Sequence, residues 1–105
     1  MTVPIDTQKT WVFRFDNLVP NETPLKFEEK EGAVSFSIPL DESKILTIKL
    51  VGIKTFGMEG RYAIMQQEKQ LCAGEVTFQT IEEGKRYKGV PQGMLSRSVW
   101  CLERI

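Results

Sequence analysis

Histidine is absent from this sequence of 105 residues, and cysteine occurs only at Cys72 and Cys101. The side chains most used at neutral pH for proton transfer, nucleophile activation and metal binding are therefore missing or scarce. That points away from an enzyme without closing off carboxylate chemistry. No uninterrupted apolar run approaches the ~20 residues needed to cross a bilayer. The opening Met1 to Thr10 carries neither a basic leader nor an apolar h-region, so a soluble, unexported, cytoplasmic protein is expected. An excess of charge of either sign is missing too: fourteen basic and fourteen acidic side chains cancel, with a sequence pI near 6.3. Neutrality disfavours nonspecific attraction to nucleic acid or anionic membrane, and it leaves self-association into a homo-oligomer open.

What is present suits one globular domain, 1–105, with 41% hydrophobic and 27% charged residues. A domain of this size hides about 60–70% of the surface its unfolded chain exposes, so it needs no disulfide or metal to fold. Two cysteines in apolar, strand-like segments are too few for a secreted disulfide framework and lack Cys-x-x-Cys spacing. Both read as buried free thiols.

Short β-prone runs separated by turn chemistry predict an all-β fold, a small antiparallel β-barrel or sandwich of about seven or eight short strands. In Thr10 to Val19, alternation places Trp11, Phe13 and Phe15 on one face, expected to be core, and a loop follows across Val19 to Pro24. Leu25 to Glu29 and Ala33 to Ile38 read as a hairpin turning at Gly32, with Leu25 and Phe27 facing the core beside Val34, Phe36 and Ile38. Lys44 to Ile53 is the strongest strand, with Leu46, Ile48 and Leu50 on one face.

Thr55 to Gly60 reads as a glycine-flanked loop whose Phe56 and Met58 either plug the core or stand exposed. For 61–71, a hairpin of Arg61 to Gln67 with Leu71 to Thr80 is expected, and the alternative is a short helix that would make the fold α+β. The terminal run through Val99, Trp100, Cys101 and Leu102 suggests a strand covered on both faces.

The most distinctive polar stretch is Gly84 to Arg97, which holds Lys85, Arg86, Lys88 and Arg97 around Tyr87 with no acidic residue. Cations that neutralise phosphates beside a stacking aromatic would suit single-stranded nucleic acid, while the adjacent Glu82 and Glu83 suit a solvated loop. Gly89-Val90-Pro91-Gln92-Gly93 lacks the Lys-Ser/Thr ending of a phosphate loop and reads as a turn or bulge. The acidic clusters Glu28/Glu29/Glu31, Asp41/Glu42 and Glu82/Glu83 fall in turns, where carboxylates serve solubility rather than catalysis. No metal and no cofactor is expected.

The leading functional expectation is a nonenzymatic protein-interaction module, an accessory or inhibitory protein that binds another protein through strand edges and glycine-bounded loops. Its candidate contact residues are Phe56, Met58, Lys85, Arg86, Tyr87, Lys88 and Arg97. The second is an OB-like single-stranded nucleic-acid binder using the basic 84–97 segment, against which neutral charge counts. The third is a small-molecule-binding β-barrel, which 105 residues leave little room for.

Overall fold

Alternation of large apolar and polar side chains runs through almost every segment of the chain, and its period of two makes strands. The computed structural model describes residues 8–15, 25–54 and 57–105. The expected loop over Val19 to Pro24, and Thr55 and Phe56, lie outside the described residues. Eight strands form within them: β1 (Trp11–Phe15), β2 (Glu28–Lys30), β3 (Ala33–Pro39), β4 (Lys44–Lys54), β5 (Gly57–Gln66), β6 (Lys69–Glu82), β7 (Arg86–Pro91) and β8 (Trp100–Arg104). They make one sheet in the order β1-β8-β7-β6-β5-β4-β3-β2, every pairing antiparallel, curled into a half-barrel rather than split into a sandwich.

Each curl point is legible as a β-bulge. The register shifts between Leu50 and Gly52 on β4, opposite Ile64/Met65 on β6, and between Thr80 and Glu82 on β6. A bulge inserts one extra residue, bends its strand and adds twist. The three extra residues are Val51, Leu71 and Ile81, and all three are large apolar side chains left exposed, at 44%, 41% and 55%. Each stands at a point where the ladder skips one residue of its strand.

The core is mostly aromatic on one wall and aliphatic on the other. Trp100 meets Phe13 at 5.7 Å between ring centroids, Phe15 at 5.6 Å and Tyr62 at 5.3 Å, while Trp11 meets Tyr87 at 6.1 Å. Val34, Ile38, Leu46, Ile48 and Leu50 supply the opposite wall, and Phe36 joins the two through Phe13 at 5.7 Å and Phe27 at 5.6 Å. The Trp100 ring needs a flat bed, which Gly89 provides across the β7–β8 pairing. A Cβ at Gly89 would lie 2.8 Å from the Trp100 Cβ and 3.0 Å from a Phe78 ring carbon. Trp100 Nε1 is buried with no hydrogen-bond acceptor among the described residues. Burying such a ring removes about 150–250 Å² from water, worth about 4–6 kcal/mol at ~25 cal/mol/Å², and that exceeds the ~1–3 kcal/mol cost of an unmet donor.

Two sequence expectations need correction, and the hairpin expected over 61–71 is borne out. Gly57 to Gly60 is the start of β5 rather than a loop, because glycine there permits close strand approach: a Cβ at Gly60 would sit 2.5 Å from the Lys49 carbonyl oxygen. The segment 61–71 contains no helix, in keeping with the expected hairpin. It is the β5–β6 hairpin, whose turn Gln67–Glu68 adopts left-handed φ of 48° and 68° without the glycine or asparagine that usually marks such a turn. Finally, Arg86 to Pro91 is strand β7 rather than a flexible loop, and the chain turns only afterwards, through a short 3-10 helix at Gly93–Leu95. There the Tyr62 hydroxyl donates to the Gln92 carbonyl, and Leu95 packs against the core. None of the helices among the described residues is long and apolar enough to cross a membrane.

Candidate functional site

Strand alternation on β7 sorts the basic stretch into two faces. Tyr87 and Gly89 point inward, and Arg86 and Lys88 point outward. Register then decides who their neighbours are. Arg86 pairs with Glu103 and Lys88 with Cys101 on β8, while on the other side of β8 Val12 pairs with Glu103 and Arg14 with Cys101. The outer surface of β7–β8–β1 therefore gathers Arg14, Arg86 and Lys88 around Cys101, with Glu103 as the carboxylate between the two arginines.

Glu103 accepts a hydrogen bond from the Arg86 guanidinium at 3.0 Å and approaches the Arg14 guanidinium at 3.8 Å. Its side chain is 27% exposed, against 51% for Arg14 and 46% for Arg86, so the anion is the shielded partner and the cations face solvent. Lys88 has no ion-pair partner among the described residues. Lys85, in the turn before β7, reaches Glu82 at 3.7 Å. Such exposed pairs contribute little to stability, on the order of 0–1 kcal/mol each.

Cys101 sits at the centre of this face. Partial burial raises its thiol pKa above the ordinary value, and Glu103 raises it further, while Arg86 and Arg14 pull it back down. A raised pKa disfavours the thiolate form that nucleophilic chemistry needs. Cys72 lies on the inner face of β6 with β7 between the two strands. Both thiols are free and only half-buried, not fully buried as the sequence suggested.

The candidate contact residues therefore separate. Lys85, Arg86 and Lys88 are exposed in and beside β7, and Arg97 is exposed in the turn before β8, apart from the row. Met58 is 0% exposed and Tyr87 2% exposed, so neither offers its side chain to a partner. The reason is phase: each occupies an inward position of its strand, Met58 opposite Phe78 and Tyr87 opposite Leu102. Burial accordingly raises the Tyr87 phenol pKa. Phe56 lies outside the described residues. Arg14 was missed because nothing local links it to residues 86 and 88. Its outward phase on β1 was readable, its neighbours were not.

No group of three or more cysteine, aspartate or glutamate side chains suited to a metal ion occurs among the described residues. Comparison with protein-family models, curated proteins and solved structures found no match.

Proposed function

We propose that this chain is a nonenzymatic protein-interaction module whose working surface is the cationic outer face of β7, β8 and β1. The observation that carries the reading is the convergence of Arg14, Arg86 and Lys88, from two distant stretches of chain, on one sheet surface around the shielded carboxylate of Glu103. Arginines held by a scaffold recognise carboxylates in forked geometry, so the expected partner surface is acidic. The rigid ladder beneath keeps the ordering cost of binding small.

The nucleic-acid alternative would use the same cations but also wants an aromatic platform for bases. Tyr87 faces the core, and every aromatic ring among the described residues is buried or half-buried. That favours a protein partner.

The test is affinity purification from the native source, with and without nuclease, using wild type and the triple variant Arg14→Glu, Arg86→Glu, Lys88→Glu. A stoichiometric protein that resists nuclease and is lost with the variant supports the reading. Retention of that protein by the triple variant would sink it. Nucleic acid that dissociates as salt rises would transfer the same face to the nucleic-acid reading.

A further inference from the structure

β3 runs over Ala33–Pro39, but β2 covers only its first half: the pairs are Glu28 with Ser35, Glu29 with Val34 and Lys30 with Ala33. In an antiparallel ladder, alternate residues bond to alternate sides. The Leu40 N–H donates to the Lys44 carbonyl at 2.9 Å, so along the β3–β4 register Ile38 and Phe36 also bond to β4, while Ser35, Ser37 and Pro39 turn their main-chain groups the other way. Close approach of Ser37 Oγ to Thr47 Oγ1, at 3.1 Å, is what a non-hydrogen-bonded pair produces. Ser35 finds Glu28. Ser37 faces no strand among the described residues.

The reason is that the chain before Glu28 leaves β3 and crosses to the other end of the sheet, where the Leu25 N–H donates to the Trp11 carbonyl at 2.9 Å. Its departure opens a groove of about 330 Å³ lined by Lys26, Glu28, Ser35, Phe36, Ser37 and Thr47. An edge N–H and C=O without a strand partner among the described residues are a template for another strand.

We infer that this groove accepts one short extended segment of a partner protein, added to β3 at Ser37 in the place that β2 vacates. Pro39 has no N–H and ends the ladder, so the segment pairs over only a few residues. Alternate side chains of the segment lie over the Ser35, Ser37 and Thr47 hydroxyls, which suits short polar groups. The flanking Lys26 and Glu28 call for one acidic and one basic side chain at its ends. The site uses residues of β2–β4 and none of Arg14, Arg86 and Lys88, so failure of one proposal leaves the other standing.

The probe is a displayed library of linear peptides panned on the full chain, with selected peptides synthesised and titrated into isotope-labelled protein. Amide shifts are expected to cluster at Ser35, Ser37 and Thr47, and exchange of the Ser37 amide is expected to slow on binding. Ser37→Pro, which deletes the N–H, should weaken binding about tenfold for the main-chain hydrogen bond removed, whereas Ser37→Ala, which keeps the N–H and removes only the hydroxyl, should weaken it less. The inference is overturned by failure to select any peptide, by shifts centred on Arg86 and Lys88, by full binding to Ser37→Pro, or by a Ser37 amide already protected in the free protein. Should Ser37→Pro fail to fold, the Ser37 amide in wild type decides alone, through its protection with and without peptide.

Discussion

The two edge strands of this sheet meet the same physical problem in opposite ways. β1 pairs with β8 along all of its five residues and sends Trp11 and Phe13 into the core at 1% exposure each. β2 pairs with β3 over three residues, two of them glutamates, and its only large contributions to the core come from Leu25 and Phe27, which precede it and are half-buried. Ladder hydrogen bonds contribute little net energy because water replaces them in the unfolded chain, while buried rings are worth several kcal/mol each. β2 stops on the side of Leu25 and Phe27, where the chain turns from β3 toward Trp11 on β1, so β2 pairs with only the first half of β3.

The largest test of that contrast is a pair of substitutions. Phe13→Ala removes a ring packed against Phe36 and Trp100 and is expected to cost about 3–5 kcal/mol, whereas Glu28→Ala on the exposed edge should stay within about 0.5 kcal/mol. Urea titration of both variants checks this, and equal costs would break the comparison. Gly89→Ala sharpens it by probing how tightly the aromatic wall is built. With no room beside Trp100 and Phe78, it should cost about 1–3 kcal/mol, and a neutral result would mean that the wall yields.

Smaller effects are expected at the turns. Gly32, at φ 81° between β2 and β3, suits a left-handed position, while Gln67 and Glu68 occupy such positions at a steric disadvantage. Replacing Gln67-Glu68 by Asn-Gly should therefore raise stability by about 0.5–1 kcal/mol, and Gly32→Ala should lower it by about 1 kcal/mol, both readable as melting shifts. The smallest effect concerns Asp41, which closes the β3–β4 turn by accepting from the Ser43 and Lys44 amides at 2.8 Å each. The Ser43 amide leads in holding its carboxyl below the ordinary 3.8, helped by Lys44 and the Ser43 hydroxyl. The group is thus easier to ionise folded than unfolded, so its contribution is complete above the ordinary value and fades as pH falls through the lowered one. Asp41→Asn keeps an accepting oxygen and should flatten the acid limb of the stability curve below that value; an unchanged limb would assign the acid sensitivity to other carboxylates.

Most of the fold was legible. The inward phase of Trp11, Phe13, Phe15, Val34, Phe36, Ile38, Leu46, Ile48 and Leu50 follows from alternation alone, and so does the hairpin over 61–71 once a helix period is absent. The site was only half legible. Arg86 and Lys88 were identified as exposed cations, but Tyr87 and Met58, chosen for residue type, belong to the core by phase. Gly57, Gly60 and Gly89 read as loop signals, yet Gly60 and Gly89 serve close approach between packed strands, a role that resides in the neighbour and not in the local sequence.

Sequence by itself determined the strands, because each strand's faces are set by side chains two residues apart and water sorts them locally. It also determined the neutral charge and the poverty in catalytic side chains. Tertiary structure alone decided that Arg14 stands beside Arg86 and Lys88, that Gly89 lies under Trp100, and that β2 pairs with only the first half of β3. Those facts depend on strand order, on three bulges and on where the chain leaves one neighbour for another, and each of these is settled by how the buried rings fill a shared interior.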